Sequence, residues 1–167
     1  AEYLLPGKIM GRSVLKALGF RTGFTHMEWF LTPDGEAVFG EIAARPPGAR
    51  SVELMNYGCD IDVFRGWAEA ECFGRMSQEI VRKYNAAITF KRAQGAGRIR
   101  RIEGLGAFMA RYGPHVTCVD LLPVGASRRN WKQTLISDGY IIVRHPDLQT
   151  TLEMADRVGT DLKIYAD

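Results

Sequence analysis

Residues 22–48, TGFTHMEWFLTPDGEAVFGEIAARPPG, leave the chain little choice of local fold. Pro33-Asp34-Gly35-Glu36 stands between two runs of alternating apolar character. Pro presets φ and Asp-Gly tolerates φ > 0, so the stretch predicts a tight β-hairpin. With the turn centred between Asp34 and Gly35, Glu28 lies directly opposite Glu41 and His26 opposite Ala43. Met27 then faces Ile42, Trp29 faces Gly40, Phe30 faces Phe39 and Leu31 faces Val38. Side chains alternate between the faces of a sheet. One face is therefore Met27, Trp29, Leu31, Val38 and Ile42, an apolar surface fit for a core. The other carries His26, Glu28, Phe30, Phe39, Glu41 and, by continued alternation, Arg45. Like charges directly opposite destabilise a sheet, so two facing carboxylates need a reason. A shared divalent cation is one, because hard ions take carboxylate oxygens from two strands together with phosphate oxygens. Two solvated acids, each with its own Lys or Arg neighbour, are the other.

Around the hairpin the periodicity predicts helices. Residues 8–18 read as one, with Met10, Val14 and Leu18 on the buried stripe, Leu15 beside it, and Gly19 as the C-terminal cap. Residues 49–57 read as a short helical turn broken by Gly58. Asp60 is expected to cap a helix running to Phe73, with Phe64, Trp67, Ala68 and Cys72 inward and Gly74 ending it. Residues 76–84 read as a charged connecting helix. Beyond it come strands at 85–92 and 98–102 about a turn at 94–97, then a helix at 105–112 stopped by Gly113-Pro114. A strand at 116–124, a polar loop at 127–131 and a strand at 139–144 follow. Asp147 is expected to cap a helix at 148–158 with Leu148, Leu152 and Ala155 inward, and 162–165 closes as a strand. The fold class is α+β. Two domains are expected, 1–76 and 77–167.

The 167 residues suit one ordinary domain or two small ones. Apolar content of 46% and charged content of 25% are those of a globular protein. No apolar run approaches the roughly 20 residues of a membrane span, and no signal peptide is visible. Cys59, Cys72 and Cys118 make neither a metal pattern nor a disulfide framework, which points to a reducing cytoplasm. A net charge of +3 is too weak to imply nucleic acid by itself. The chain starts without Met and runs straight into Tyr3-Leu4-Leu5-Pro6-Gly7, so a fragment of a longer protein is expected.

An acid in His26-Met27-Glu28-Trp29-Phe30, the Asp-Gly turn, and a second acid in Gly40-Glu41-Ile42-Ala43-Ala44-Arg45-Pro46-Pro47-Gly48 together resemble the C-terminal half of an ATP-grasp domain. ATP-grasp enzymes are ATP-dependent ligases and carboxylases. The resemblance implies a C-terminal ATP-grasp subdomain, an antiparallel sheet with helices, followed by a small strand-rich α+β domain. It implies that Glu28 and Glu41 hold Mg²⁺ (or Mn²⁺) against ATP phosphates, and that Arg45 assists the phosphates or an acyl-phosphate. Phe30 falls near the adenine, and Pro47 and Gly48 at the substrate end. His26 and Arg50 are further candidates for substrate contact, against structural or capping roles. One departure is visible: the family has Glu-X-Asn at the second acid, and Ala43 stands where the Asn would complete the metal shell. A water or another residue must then serve, so metal stoichiometry is open.

The resemblance implies a ligase that joins a small-molecule carboxylate to an amine, or a carboxylase component that activates bicarbonate. No protein nucleophile is expected, since phosphoryl transfer to a carboxylate needs positioning and charge neutralisation. No membrane or nucleic-acid partner is expected, and a homo-oligomer is left open. The resemblance also implies a second subdomain with phosphate-binding lysines and a Gly-rich loop. Gln94-Gly95-Ala96-Gly97 lacks the Lys and helix of a phosphate loop, so the chain alone is expected to bind ATP poorly and to turn nothing over. The rival reading is a non-catalytic module that binds a partner or nucleic acid through Lys91, Arg92, Arg98, Arg100 and Arg101. A scaffold remnant, for which Ala43 is the only hint, is a third.

Overall fold

A computed structural model of the chain describes residues 2–130, 132–134 and 136–167. Trp131, at the end of the expected polar loop, lies outside the described residues. In chain order the elements are α1 (Leu5–Ala17), β1 (His26–Leu31), β2 (Ala37–Ala43), α2 (Ser51–Cys59), α3 (Val63–Phe73), β3 (Asn85–Phe90), β4 (Gln94–Gly95), β5 (Ile99–Glu103), α4 (Leu105–Tyr112), β6 (Val116–Leu121), β7 (Gly139–His145), α5 (Leu148–Asp161) and β8 (Lys163–Ala166). The architecture is α+β. Pairing is antiparallel except for the short β4–β8 contact. Two compact units emerge, Ala1–Gly48 with Asp62–Glu79, and Ala49–Ile61 with Ile80–Asp167.

The first unit holds α1, the β1–β2 hairpin and α3. Helix α1 starts earlier than expected because Pro6 lies in its first turn rather than before it, where its fixed φ suits the helix and its missing N–H costs nothing. Its inward stripe also differs. Gly7 is the buried residue, while Leu18 is 63% exposed. The reason is the hairpin. The Trp29 indole lies where a Cβ on Gly7 would be, 2.2 Å from Cε2, and the Met27 thioether lies against Gly11, its Cε at 3.4 Å. A search for apolar periodicity passes over two glycines one turn apart, yet they form the seat for Trp29 and Met27 of β1. Gly7→Ala is therefore expected to push the indole out and to cost about 1–3 kcal/mol. Thermal unfolding, with the Trp29 environment followed by fluorescence, measures it.

Helix α3 is capped by Asp62, whose Oδ1 accepts from the Arg65 N–H at 3.0 Å, and not by Asp60. It ends, as expected, at Gly74 in the left-handed region (φ 66°). Val63, Gly66 and Ala70 are its buried residues, and Phe64 is 51% exposed. Trp67 is half-buried and stacks on Phe24 at 5.7 Å. The stretch 76–84 is not helical; its polar groups are bonded to other segments instead, the Lys83 and Tyr84 N–H groups to the Gly58 carbonyl among them. Glu69 accepts from the Ser77 N–H at 2.7 Å, and Gln78 brackets Asp62, accepting from its N–H and donating to its C=O. The bonds from the Ser77 N–H and hydroxyl, with one from Arg65, hold the Glu69 carboxyl down at about 2.

The second unit is built on β7, the middle strand of β3–β7–β6, whose residues 139–143 are all buried. A second sheet, β4–β8–β5, and helices α4 and α5 close the core around Ile99, Phe108, Ile141, Val143, Met154, Val158, Leu162 and Ile164. The inward stripe of α5 is Thr151, Met154 and Val158, and Leu148 and Leu152 are exposed. The sequence hides this because Thr151 is polar. Its hydroxyl is satisfied locally, 2.9 Å from the Asp147 carbonyl, so it can be buried. Asp147 caps α5 as expected, accepting from the Thr150 N–H at 2.7 Å.

The candidate basic patch is dispersed. Lys91 is buried, and its ammonium caps α5 by donating to the Val158 and Gly159 carbonyls at 2.9 and 2.8 Å. Burial lowers its pKa. Arg98 donates to the Gly125 carbonyl at 2.8 Å, Arg100 pairs with Asp167, and Arg101 lies over the Tyr165 ring at 4.2 Å. Among the described residues, no helix is long and apolar enough to cross a membrane.

Candidate active-site hairpin

The opposition of Glu28 and Glu41 is present, but it is reached by two compensating shifts. The connection is a three-residue loop, Pro33-Asp34-Gly35, and not a turn centred on Asp34-Gly35. The Thr32 N–H donates to the Glu36 carbonyl at 2.9 Å, and Gly35 takes the left-handed conformation (φ 84°) that such loops need. This sets Leu31 opposite Ala37, Phe30 opposite Val38 and Trp29 opposite Phe39, each one residue off the expected register. A bulge at Gly40 then restores the register, so that Glu28 faces Glu41, Met27 faces Ile42 and His26 faces Ala43. Only glycine fits the bulge as it stands, since a Cβ there would lie 2.9 Å from the Glu28 carbonyl oxygen. An isolated Gly inside a strand pattern was the available signal.

The bulge also redistributes the aromatic residues. Cross-strand partners share a face. Phe39 therefore joins Trp29 on the apolar side, and Val38 joins Phe30 beyond the acids. The apolar face is not wholly covered within the unit. Leu31 and Phe39 are 44% and 45% exposed, whereas Met27 and Trp29 at the base are half-buried under α1. The Phe30 ring is 67% exposed and lies against Gly40.

On the acid face the groups stand as follows. Glu28 is exposed and makes no ion pair among the described residues. Glu41 Oε1 accepts from Arg45 Nη2 at 3.2 Å, and Arg45 Nη1 donates to the Pro46 carbonyl at 3.2 Å. His26 Nδ1 is buried without a hydrogen-bond partner. An orphaned buried nitrogen costs roughly 1–3 kcal/mol unless a water satisfies it. Pro47 is half-buried, and Gly48 is exposed with open space where a Cβ would stand.

Whether a divalent ion suits this face is a question of donors. Two opposed carboxylates, one without a cation among the described residues, are hard donors of the right kind, whereas the His26 Nδ1 is buried out of an ion's reach as it stands. Among the described residues, no three His, Cys, Asp or Glu side chains stand ready as a complete shell. A shell completed by phosphate oxygens and water needs fewer protein donors.

Arg50, the remaining candidate, belongs to the second unit. It precedes α2 in the left-handed conformation, with Ala49 left-handed before it (φ 62° and 52°). Its guanidinium donates to Glu53 at 2.8 Å and lies over the Tyr140 ring at 5.6 Å. The hydrogen bond to Glu53 raises the Arg50 pKa first, and Tyr140 adds to it. Burial pushes the Tyr140 phenol up to about 12, assisted by Cys118 and by its hydrogen bond to Asp120. Arg50 is thus a fixed cation, held by contacts within its own unit.

No protein-family model and no curated protein matches the chain. Solved structures do. An L-amino acid ligase from Bacillus licheniformis aligns over 99% of this chain and 43% of its own, with TM-score 0.77 and 22% identity. The N5-carboxyaminoimidazole ribonucleotide synthetase of Thermotoga maritima aligns over 96% and 42%, with TM-score 0.69 and 23% identity. The phosphoribosylglycinamide synthetase of Anaerococcus prevotii aligns over 99% and 42%, with TM-score 0.71 and 16% identity. The chain thus spans well under half the length of each. At these identities the likeness is one of fold. The antiparallel hairpin, the helices about it and the strand-rich second unit form a fold shared with part of each of these ligases and synthetases, as the resemblance to the C-terminal half of an ATP-grasp domain implied.

Proposed function

We propose that the protein carrying this chain is an ATP-dependent ligase of ATP-grasp type, acting in the cytoplasm on a small-molecule carboxylate and an amine. One observation carries the reading: on a chain of this fold, Glu28 and Glu41 face each other with Arg45 bonded to the second. In the first step a carboxylate oxygen attacks the γ-phosphorus of ATP, and the bond to ADP breaks. The amine nitrogen then attacks the carbonyl carbon of the acyl-phosphate, phosphate leaves, and the amine gives up a proton. Residues 1–76 belong to the ATP-grasp part in this reading, and residues 77–167 form the small closing domain.

Glu28 and Glu41 hold Mg²⁺ or Mn²⁺ in this scheme. The ion, when bound, neutralises charge on the phosphate oxygens. Arg45 presents a planar guanidinium to the transferred phosphoryl group. Phe30 offers an exposed ring for the adenine. His26 has a buried nitrogen in need of a partner, and it joins Pro47, Gly48 and Arg50 as a substrate contact. No side chain acts as a nucleophile.

A close variant places bicarbonate where the carboxylate stands. The likeness to a synthetase named for a carboxyamino product supports keeping it. Isotope transfer tests the common step. With ¹⁸O in the carboxylate or bicarbonate, the released phosphate of the full-length protein is expected to carry one label per turnover. Unlabelled phosphate overturns the acyl-phosphate route, and the substrate that transfers label decides between the two variants.

A further inference from the structure

We infer that Arg45 masks the Glu41 carboxylate until a phosphoanion draws the guanidinium away, so that the hairpin takes a divalent cation together with its phosphoanion and not the bare ion. The inference rests on the metal role proposed above for Glu28 and Glu41. Three observations lead to it. First, the two acids differ in state although they face each other: Glu28 has no cation among the described residues, while Glu41 Oε1 lies 3.2 Å from Arg45 Nη2. Second, the other arm of the Arg45 guanidinium is held by a neutral acceptor only, the Pro46 carbonyl at 3.2 Å. Third, the pair is loose. The Arg45 and Glu41 side chains are 48% and 60% exposed, and an exposed ion pair is easily exchanged for a stronger partner.

A phosphoryl group is such a partner, because its oxygens take both arms of a guanidinium in charge-assisted bonds. The Pro46 carbonyl holds the other arm now, at 3.2 Å, and a single neutral acceptor cannot compete with an anion. When Arg45 turns to the anion, Glu41 is released toward Glu28, and the two carboxylates become available to one cation. Cation and anion then favour each other's binding by the same factor, as linkage requires. Without the anion, Arg45 opposes the cation twice: it occupies a donor, and it adds a like charge nearby.

The test is Mn²⁺ binding, followed by the EPR signal of the free ion, on the full-length protein. With Mn²⁺ alone, Arg45→Met is expected to bind the ion about 3- to 10-fold more tightly than the wild type. In a Glu41→Gln background the same change is expected to gain less than twofold. Orthophosphate is expected to tighten Mn²⁺ binding to the wild type and to leave Arg45→Met unchanged. Arg45→Lys, which keeps the charge, is expected to stay within twofold of the wild type. An unchanged affinity in Arg45→Met, or a gain that persists without Glu41, overturns the masking. Mn²⁺ binding that ignores Glu28→Gln in every variant, with ATP present as well, instead overturns the metal role of the acids. Thermal unfolding of each variant confirms that the comparison is between folded chains.

Discussion

Glu28→Gln is expected to lower the metal-dependent turnover of the full-length protein by about 10²–10³-fold, the usual cost of removing one preorganised charge from a phosphoryl-transfer site. The same change is expected to leave the fold as stable as before, or to stabilise it by roughly 0.2–1 kcal/mol, because it relieves two like charges placed directly opposite. Opposite signs in the two measurements are the mark of residues kept for chemistry at the expense of the sheet. Glu41→Gln should lose as much turnover without the gain in stability, since it also surrenders the pair with Arg45. Steady-state kinetics at saturating Mg²⁺ and thermal unfolding of the same samples decide the matter. Wild-type turnover in Glu28→Gln, or a large loss of stability, would return Glu28 to the reading of a solvated surface acid.

The second large effect lies away from the hairpin. Asp138→Ala is expected to cost about 3–5 kcal/mol, a sizeable share of the roughly 5–15 kcal/mol that holds a domain together. Asp138 is 1% exposed, and its carboxylate accepts three bonds. They come from the Ala93 N–H at 2.8 Å, the Arg129 N–H at 2.9 Å and Arg128 Nε at 3.1 Å. Its backbone exchanges bonds with Lys91 and Leu122 as well. Removing the carboxylate strands a buried donor at Ala93 and a part-buried one at Arg129, and leaves the Arg128 guanidinium short of its counter-ion. Denaturant unfolding of Asp138→Ala, and of Asp138→Ala with Arg128→Met, measures this. The double variant should recover part of the loss, because the stranded charge goes with it. A loss below about 1 kcal/mol would mean that water satisfies these groups.

Much of the candidate site was legible because hairpins are local. Alternation and a Pro-Asp-Gly loop place two acidic strands side by side, with Glu28 and Glu41 within one residue of opposition. The register between the loop and the acids was not legible. The loop displaced it by one residue and Gly40 displaced it back, so the acids met as expected while Phe39 and Val38 exchanged faces. The Arg45–Glu41 bond and the orphaned His26 nitrogen lie beyond a sequence reading, because rotamers and burial choose among several partners that strand alternation alone allows. The Asp138 hub left no signal at all. A single acid before a strand is ordinary, and its donors come from residues 9, 10 and 45 positions away.

Sequence alone determined the features whose partners lie within a few residues: most of the α+β succession of elements, the stretch 76–84 apart, the caps at Asp147 and Gly74, and the presence of a hairpin about Pro33-Asp34-Gly35. Their energetics is set by φ preference, alternation and short hydrogen bonds, and all of these can be read along the chain. Only the tertiary structure decided which face of each helix is inward. In α1 two glycines admit Trp29 and Met27. In α5 a threonine that satisfies its own hydroxyl joins the core while two leucines stay outside. Periodicity counts apolar side chains, but packing selects for shape and for satisfied polar groups. The two criteria part wherever a small or polar residue meets a large neighbour from a distant strand.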